Sequence, residues 1–372
     1  MNKKILFVAT VDYHFEAFHL PYFKMLKEEG WELHVAAKGD LDLPYCDKKF
    51  NIPIERSPYR LNNIRAYFIL KRIIEENKYD LVHCHTPMGG VLARLAAINA
   101  RKRGTKVLYT AHGFHFYKGA PIINWLLYYP IEKFLARYTD GLITINSEDY
   151  ERAKTFKLAK DGKLFYVPGV GIDVERIKMI EVDKIQKRRE LGIPENAFVL
   201  VSVGELIPRK NHSQVIKALS KIDIRSKNIY YLIVGKGILE LKLKRLSQKL
   251  NIEDHVVFLG HRKDVIEILK ASDVFVFPSK QEGLPRALME AMACGLPVIA
   301  TRIRGNVDLI EDSVNGLLID IKGVVSFDKA IENMYNNKDL RSIIGKKNLE
   351  KISNFSISVI CEHMKTIYNL YK

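Results

Sequence analysis

The sequence predicts an α/β protein made of two doubly wound, Rossmann-like domains in tandem. Three observations predict it. Short β-branched apolar runs alternate with amphipathic runs of about ten residues or more, the pattern of parallel sheets covered by helices on both faces. The alternation occurs twice, in halves of similar size. The chain has 372 residues, a length that suits two domains at roughly 100–200 residues each.

The strands of the first half are expected at Ile5–Thr10, Leu33–Ala37, Leu81–His85, Val107–Ala111, Leu142–Asn146 and Leu164–Val167, each a compact apolar run. Between them, apolar residues recur at helical spacing over Ala17–Glu29, Arg65–Asn77, Gly90–Arg103, Ile123–Arg137 and Glu148–Phe156. The second half repeats the scheme, with strands at Phe198–Val203, Tyr230–Val234, Val256–Leu259, Val274–Pro278, Val298–Thr301 and Leu317–Ile319. Its helices are expected near Ser213–Lys221, Leu239–Leu250, Val265–Ala271 and Arg286–Cys294. The turn-rich Pro168-Gly169-Val170-Gly171, followed by the charged segment Glu175–Arg189, marks the boundary. The domains are therefore read as 1–168 and 169–355. Tandem doubly wound domains imply a ligand cleft between them, and ligands of such sheets bind beyond the carboxyl ends of the strands. Residues directly after strands are the place to look for function.

Composition narrows the function classes. Apolar residues at 47% and charged residues at 27% exclude a disordered, collagenous or coiled-coil chain. Lys and Arg number 59 against 43 Asp and Glu, a net charge of +16, which favours an anionic partner. The excess is divided equally on either side of Pro168. A nucleic-acid-binding protein, the non-enzymatic alternative, is expected to gather it in one basic stripe, so no nucleic acid is expected. Cys46, Cys84, Cys294 and Cys361 form no C-x2-C pair and sit in or beside apolar segments. They read as reduced and mostly buried, consistent with a cytoplasmic protein. The opening apolar run ends at Asp12 without a small-residue cleavage site, and reads as a first strand rather than a signal peptide. No run reaches the 18 or so apolar residues of a membrane-spanning helix. The aromatic and basic run Trp125–Tyr138 fits either a buried helix or one lying on a membrane surface.

The common nucleotide signatures fail. There is no G-x4-G-K-[ST], and Gly235-Lys236-Gly237 lacks its third glycine because position 240 is Glu. Asp40-Leu41-Asp42 reads as a solvated turn rather than a metal site. His83 and His85 share one strand face, with no third ligand at a useful spacing. The richest segment runs from Pro278 to Ala300. A strand ends at Pro278, a loop carries Glu282, a helix starts near Pro285, Glu290 lies inside it, and Gly295 closes it. Two carboxylates eight positions apart across a loop and a helix start can reach two ends of one ligand, and the helix start between them favours an anion. By spacing alone they also read as a solvated loop glutamate and a surface helix glutamate.

The wider pattern is specific. Ser279-Lys280-Gln281-Glu282-Gly283-Leu284-Pro285-Arg286-Ala287-Leu288-Met289-Glu290 closely resembles the E-x7-E signature of the retaining family-4 glycosyltransferases, which have the GT-B fold of two facing Rossmann-like domains. Gly204-Glu205-Leu206-Ile207-Pro208-Arg209-Lys210-Asn211 resembles the family's donor-phosphate loop. Asp80-Leu81-Val82-His83-Cys84-His85 resembles its D-[IV]-[IV]-H-x-H motif, Thr110-Ala111-His112-Gly113 its T-x-H-[GD], and Asn315-Gly316-Leu317-Leu318 its N-G-[LF]-L. Order and spacing agree over nearly the whole chain. The first 150 residues look especially like bacterial exopolysaccharide and capsule glycosyltransferases.

The resemblance implies roles. Glu290 would bind the donor ribose, Glu282 would face the donor sugar, and Arg209 and Lys210 would neutralise the diphosphate. Gly204, Gly283 and Leu284 would line the donor site. The backbone at His261 and Arg262 would read the nucleobase, and His112 would contact the donor sugar near its reacting carbon. The last helix, 356–372, would pack back on the first domain. One departure concerns the loop after the first strand, Thr10-Val11-Asp12-Tyr13-His14-Phe15, which has none of the family's glycines. Asp12 and His14, with His85, become candidates for acceptor contact in place of backbone amides. The implied reaction moves a hexosyl or N-acetylhexosaminyl unit from a nucleotide sugar, UDP-linked, to a lipid-linked saccharide in exopolysaccharide or capsule assembly. Two cations and a helix start could stabilise the leaving diphosphate without a metal or other cofactor. A lipid-linked acceptor and the positive charge also imply an anionic inner-leaflet surface as a partner, hence a peripheral location. A same-fold UDP-sugar epimerase, which would need no acceptor, is the alternative enzyme.

Overall fold

The computed structural model describes residues 3–321 and 326–371. They group into two compact units, Met1–Gly171 with Ile357–Lys372, and Ile172–Ser356.

The N-terminal unit is built on seven strands: β1 (Lys4–Val11), β2 (Glu32–Lys38), β3 (Lys48–Asn51), β4 (Leu81–His85), β5 (Lys106–Ala111), β6 (Gly141–Thr144) and β7 (Lys163–Tyr166). They form one parallel sheet in the order β3-β2-β1-β4-β5-β6-β7. Its helices are α1 (Tyr13–Phe18), α2 (Leu20–Glu28), α3 (Asn62–Asn77), α4 (Pro87–Ala96), α5 (Ile98–Arg101), α6 (Ile122–Leu135) and α7 (Ser147–Ala153). Strand order reverses beside β1, whose two neighbours are β2 and β4, so the carboxyl ends of β1 and β4 flank the switch point of the sheet. β3 was not expected from sequence. Its run Lys48-Lys49-Phe50-Asn51 has one apolar residue, because it is an exposed edge strand, where lysines discourage further pairing.

The C-terminal unit repeats the design with α8 (Val174–Met179), α9 (Lys184–Glu190), β8 (Phe198–Val203), α10 (His212–Leu219), β9 (Ile229–Val234), α11 (Glu240–Lys249), β10 (Val256–Gly260), α12 (Val265–Ala271), β11 (Val274–Phe277), α13 (Arg286–Ala293), β12 (Val298–Thr301), α14 (Asn306–Leu309), β13 (Leu317–Ile319), α15 (Phe327–Asn336) and α16 (Lys338–Ile352). Its parallel sheet runs β10-β9-β8-β11-β12-β13, with the switch point between β8 and β11. The charged segment after the turn-rich stretch folds into α8 and α9. Arg188 there is buried, donating to the carbonyls of Ala271, Glu195 and Ala197 and to Asp273 Oδ2 at 2.7 Å. A buried guanidinium with four acceptors meets the requirement that a desolvated charge be paired. α15 and the lysine-rich α16 were likewise not anticipated.

Each sheet carries an apolar core on both faces. The last helix, α17 (Ile357–Asn369), belongs to the N-terminal unit, where Ile360, Met364, Ile367 and Tyr368 pack against the β1–β2 face of the sheet. Tyr368 Oη lies 2.9 Å from His83 Nδ1, and Tyr371 Oη donates to the Asp140 carbonyl at 2.8 Å.

Candidate active site

In the C-terminal unit, β8 delivers the loop 204–211 to the switch point and β11 delivers the loop 278–285 beside it. The two loops are stitched together. Lys280 N donates to the Arg209 carbonyl at 2.7 Å and Ser279 Oγ to the same carbonyl at 3.2 Å. At their junction Glu282, its side chain 9% exposed, accepts from Lys210 Nζ at 2.7 Å and Ser279 Oγ at 2.5 Å, with Arg209 Nη1 at 3.4 Å. The Lys210 ammonium also lies over the Phe277 ring, 4.8 Å from its centre. Gly204 packs on the Lys210 stem. Gly235, at the end of β9, must lack a side chain: a Cβ there would lie 2.0 Å from the Gly204 carbonyl oxygen.

Glu290 lies one turn into α13. Its carboxylate is half-buried and takes a 2.9 Å hydrogen bond from Arg286 Nε one turn earlier. Gly283 and Leu284 line the loop between the two glutamates. They are backed by Arg304, which follows β12 and donates to the Glu282 carbonyl at 3.0 Å. Gly305 (φ +81°) presses on Gly283, where a Cβ would come within 2.4 Å of the carbonyl oxygen. Sequence reasoning missed Arg304 and Gly305, although they also follow a strand directly. At the end of β10, His261 is exposed. The Arg262 guanidinium is engaged twice with Asp264, at 2.8 and 2.6 Å, holding that carboxyl well below the usual range. A ligand at this turn meets its backbone rather than a free Arg262 side chain.

In the N-terminal unit histidines gather at the strand ends of the switch point. His14 from α1, His19 between α1 and α2, His85 at the end of β4 and His112 just after β5 place ring nitrogens within 4.8 Å of one another. His85 Nδ1 is 3.2 Å from His112 Nε2, and the His83 ring lies behind His85, tilted by 45° at 4.1 Å between ring centres. Burial depresses all five imidazoles, His112 to about 4 and His83 to about 3, and their mutual repulsion adds to it for all but His112. The cluster is neutral at neutral pH. The expectation that His83 and His85 find no further nitrogen nearby is overturned: β1, β4 and β5 are neighbours in the sheet, so residues far apart in sequence converge. Neutral imidazoles are suitable ligands for a transition metal, and Nε2 of His14 and of His85 are buried without a hydrogen-bond partner. The buried carboxylate of Asp12 accepts from Lys49 Nζ at 2.6 Å and Leu41 N at 2.8 Å, so it closes the loop after β1. Asp40, read as part of a turn, accepts from Asn51 Nδ2 at 2.7 Å.

Two family patterns cover most of the chain. "Glycosyl transferases group 1" matches residues 183–351 and "Glycosyl transferase 4-like" matches residues 4–146. The chain is 47% identical over 372 residues to the Bacillus subtilis (strain 168) protein EpsD, described as a glycosyltransferase, covering 100% of this chain and 97% of that one. This protein belongs to the family-4 glycosyltransferases. A second relative of this glycosyltransferase, 33% identical over 360 residues with 94% and 92% of the two chains covered, is the Escherichia coli "UDP-Gal:alpha-D-GlcNAc-diphosphoundecaprenol alpha-1,3-galactosyltransferase". The fold is GT-B: the structure of Anabaena HepE in complex with UDP aligns with a TM-score of 0.79 at 20% identity, over 99% of this chain and 100% of that one. The glycosyltransferase signature residues Glu282 and Glu290 thus lie on the loop and the helix that follow β11.

Proposed function

We propose that this glycosyltransferase moves a hexosyl or N-acetylhexosaminyl unit from a UDP-linked donor, with retention at the anomeric carbon, to a lipid-linked saccharide in exopolysaccharide or capsule assembly. The observation that carries the donor reading is the Arg209–Lys210–Glu282 cluster at the C-terminal switch point, with Glu290 eight residues further on. Without donor, Lys210 and Glu282 satisfy each other. With donor, Lys210 and Arg209 turn to the diphosphate and Glu282 to the sugar hydroxyls, while Glu290 takes the ribose. Charge developing on the leaving diphosphate then meets two cations already in place, which stabilises the transition state more than the ground state. No metal is needed for that step. The named donor and acceptor of the E. coli relative support the UDP-sugar and the lipid-linked saccharide.

The N-terminal unit supports a membrane-surface location. Helix α6 is apolar all round. Trp125 and Tyr129 pack inward, while Ile122, Ile123, Leu126 and Phe134 are exposed, Ile122 at 78%. The helix is tied down by Glu132, which meets buried Arg94 at 2.8 Å and Tyr109 Oη at 3.2 Å. α3 adds exposed Ile64 and Phe68, and Leu61 just before it is exposed as well. Apolar rows interleaved with Lys and Arg suit an anionic bilayer surface, and we place the protein on the inner face of the cell membrane. No helix among the described residues is long and apolar enough to cross a membrane. The test is calorimetry with UDP and UDP-sugars, followed by transfer to lipid-linked acceptors with the product anomer read by NMR. Absence of nucleotide binding refutes the donor site, and an inverted product refutes retention.

A further inference from the structure

The N-terminal unit holds a cavity of about 960 Å³ that no step above uses. It starts at the carboxyl ends of β1 and β4, at Thr10, His14 and Thr86, and runs out between α3, α4 and α6, past Val91, Leu95 and Tyr128, to the exposed side chains Ile64, Phe68 and Leu127. Its lining is overwhelmingly apolar along the helices and polar at the strand ends. At the polar end it shares Thr10, Val11, Arg56 and Arg60 with a second cavity of about 390 Å³, to which Lys38 and Glu55 contribute. Lys38 is paired with Glu55 at 2.6 Å, which leaves the two arginines as the net charge of that compartment. His14, nine-tenths buried, lines the same end with Nε2 unpartnered.

This cavity is amphiphilic along its length: cationic and hydrogen-bonding at the strand ends, apolar toward the two helices that carry exposed apolar rows. An anion alone would leave the apolar length empty, and an apolar chain alone would leave Arg56, Arg60 and His14 unanswered. We infer that the cavity binds the acceptor by its carrier lipid, with a diphosphate at the Arg56–Arg60 end and the first isoprene units of a prenyl chain between α3, α4 and α6. This deepens the lipid-linked acceptor reading and rests on it. The volume is at the upper end for a pocket holding a small molecule, so only the head-proximal part of a long carrier fits. The remainder continues past the exposed side chains of α3 and α6.

The test uses the full chain without bilayers or detergent micelles. Titration with dimethylallyl, geranyl, farnesyl and geranylgeranyl diphosphate, and with inorganic diphosphate, should show affinity rising at least tenfold per isoprene unit and then levelling off once the cavity is full. A methylene leaving water is worth about fourfold. Val91→Trp, which fills the cavity at a half-buried position, should remove the chain-length dependence. Leu127→Glu, at an exposed position that cannot disturb the core, should weaken farnesyl diphosphate at least tenfold. Far-UV circular dichroism and a melting curve on the same samples show that the N-terminal unit is folded in both variants, and UDP affinity, which belongs to the other unit, should be unchanged. Inorganic diphosphate binding as tightly as farnesyl diphosphate, farnesyl diphosphate binding unchanged in both variants, or no prenyl diphosphate binding at all overturns the inference. A protein that binds prenyl diphosphates but not UDP fails the donor reading instead, so the two failures are separable.

Discussion

Replacing Lys210 by Met tests the donor site with two readouts that move differently. Lys210 and Glu282 have side chains 11% and 9% exposed and meet at 2.7 Å. Removing one partner of a buried pair typically costs about 3–5 kcal/mol, because the other charge is stranded. Here Ser279 Oγ at 2.5 Å and Arg209 at 3.4 Å remain on the carboxylate, so about 2–3 kcal/mol is expected. Loss of one preorganised donor to a developing anion costs about 10²–10³ in kcat. The double variant Lys210→Met, Glu282→Gln separates the effects. Neutralising the stranded carboxylate should return most of the stability, while kcat stays low because the leaving diphosphate still lacks its cation. Thermal denaturation and steady-state transfer to a lipid-linked acceptor measure the two quantities. If kcat recovers along with stability, Lys210 only holds Glu282 in place, and its role at the diphosphate is wrong.

Glu290→Ala should weaken UDP by about 1.5–3 kcal/mol, the value of a hydrogen bond to a charged group, with little change in stability, since its partner Arg286 is half exposed; equal UDP affinity in calorimetry refutes the ribose assignment. The buried histidines set the acid limit. Their folded pKa values lie below the unfolded value of about 6.5, so the unfolded chain takes up protons first and stability is lost as pH falls from about 6.5 toward 4. His112 alone accounts for about 3 kcal/mol over that window. A melting temperature unchanged between pH 7.5 and 5 would contradict neutral burial. Transfer should persist in EDTA; activity lost to chelator and restored by a divalent ion, with Arg209→Ala near normal, would overturn the metal-free mechanism and turn attention to His14, His19, His85 and His112. Binding to anionic vesicles should exceed binding to neutral ones, fall in 0.5 M salt, and weaken in Leu126→Asp, and equal negligible binding to both would refute the membrane surface.

Most of both sheets was legible in the sequence for a physical reason. Strands covered on both faces, such as β1 and β11, read as unbroken apolar runs. β3 was not legible because an edge strand needs no second buried face. The grouping of Arg209, Lys210 and Glu282 into one candidate site was legible because Glu282, Glu290 and the start of α13 lie in one contiguous segment, and Arg209 and Lys210 in another. The histidine cluster was not, since its members stand on and just after α1, at the end of β4 and just after β5, and meet only through strand order. The pairing of Asp12 with Lys49 was not legible because Lys49 lies in the unrecognised β3 region. Helix α6 resisted assignment because both its faces are apolar, one packed on the core and one exposed, which leaves no polar stripe to reveal its orientation.

The two units put opposite chemistries at the same point of the same topology, and that contrast bears on how two phosphorylated ligands are kept apart. The C-terminal switch point carries Arg209 and Lys210 with carboxylates close by. On the donor reading, a nucleotide sugar would present its diphosphate, ribose and sugar hydroxyls to these polar groups. The N-terminal switch point carries neutral imidazoles, with Arg56 and Arg60 at the mouth of a largely apolar cavity. UDP entering it would gain the arginines but leave the apolar walls wet. On the proposed assignments each ligand would be disfavoured at the other's site by groups left unpaired, and specificity would be the difference between two affinities. The same contrast separates salt effects: binding at the Lys210 end should weaken as salt screens the cations, while chain-length dependence at the N-terminal cavity, being apolar in origin, should survive it.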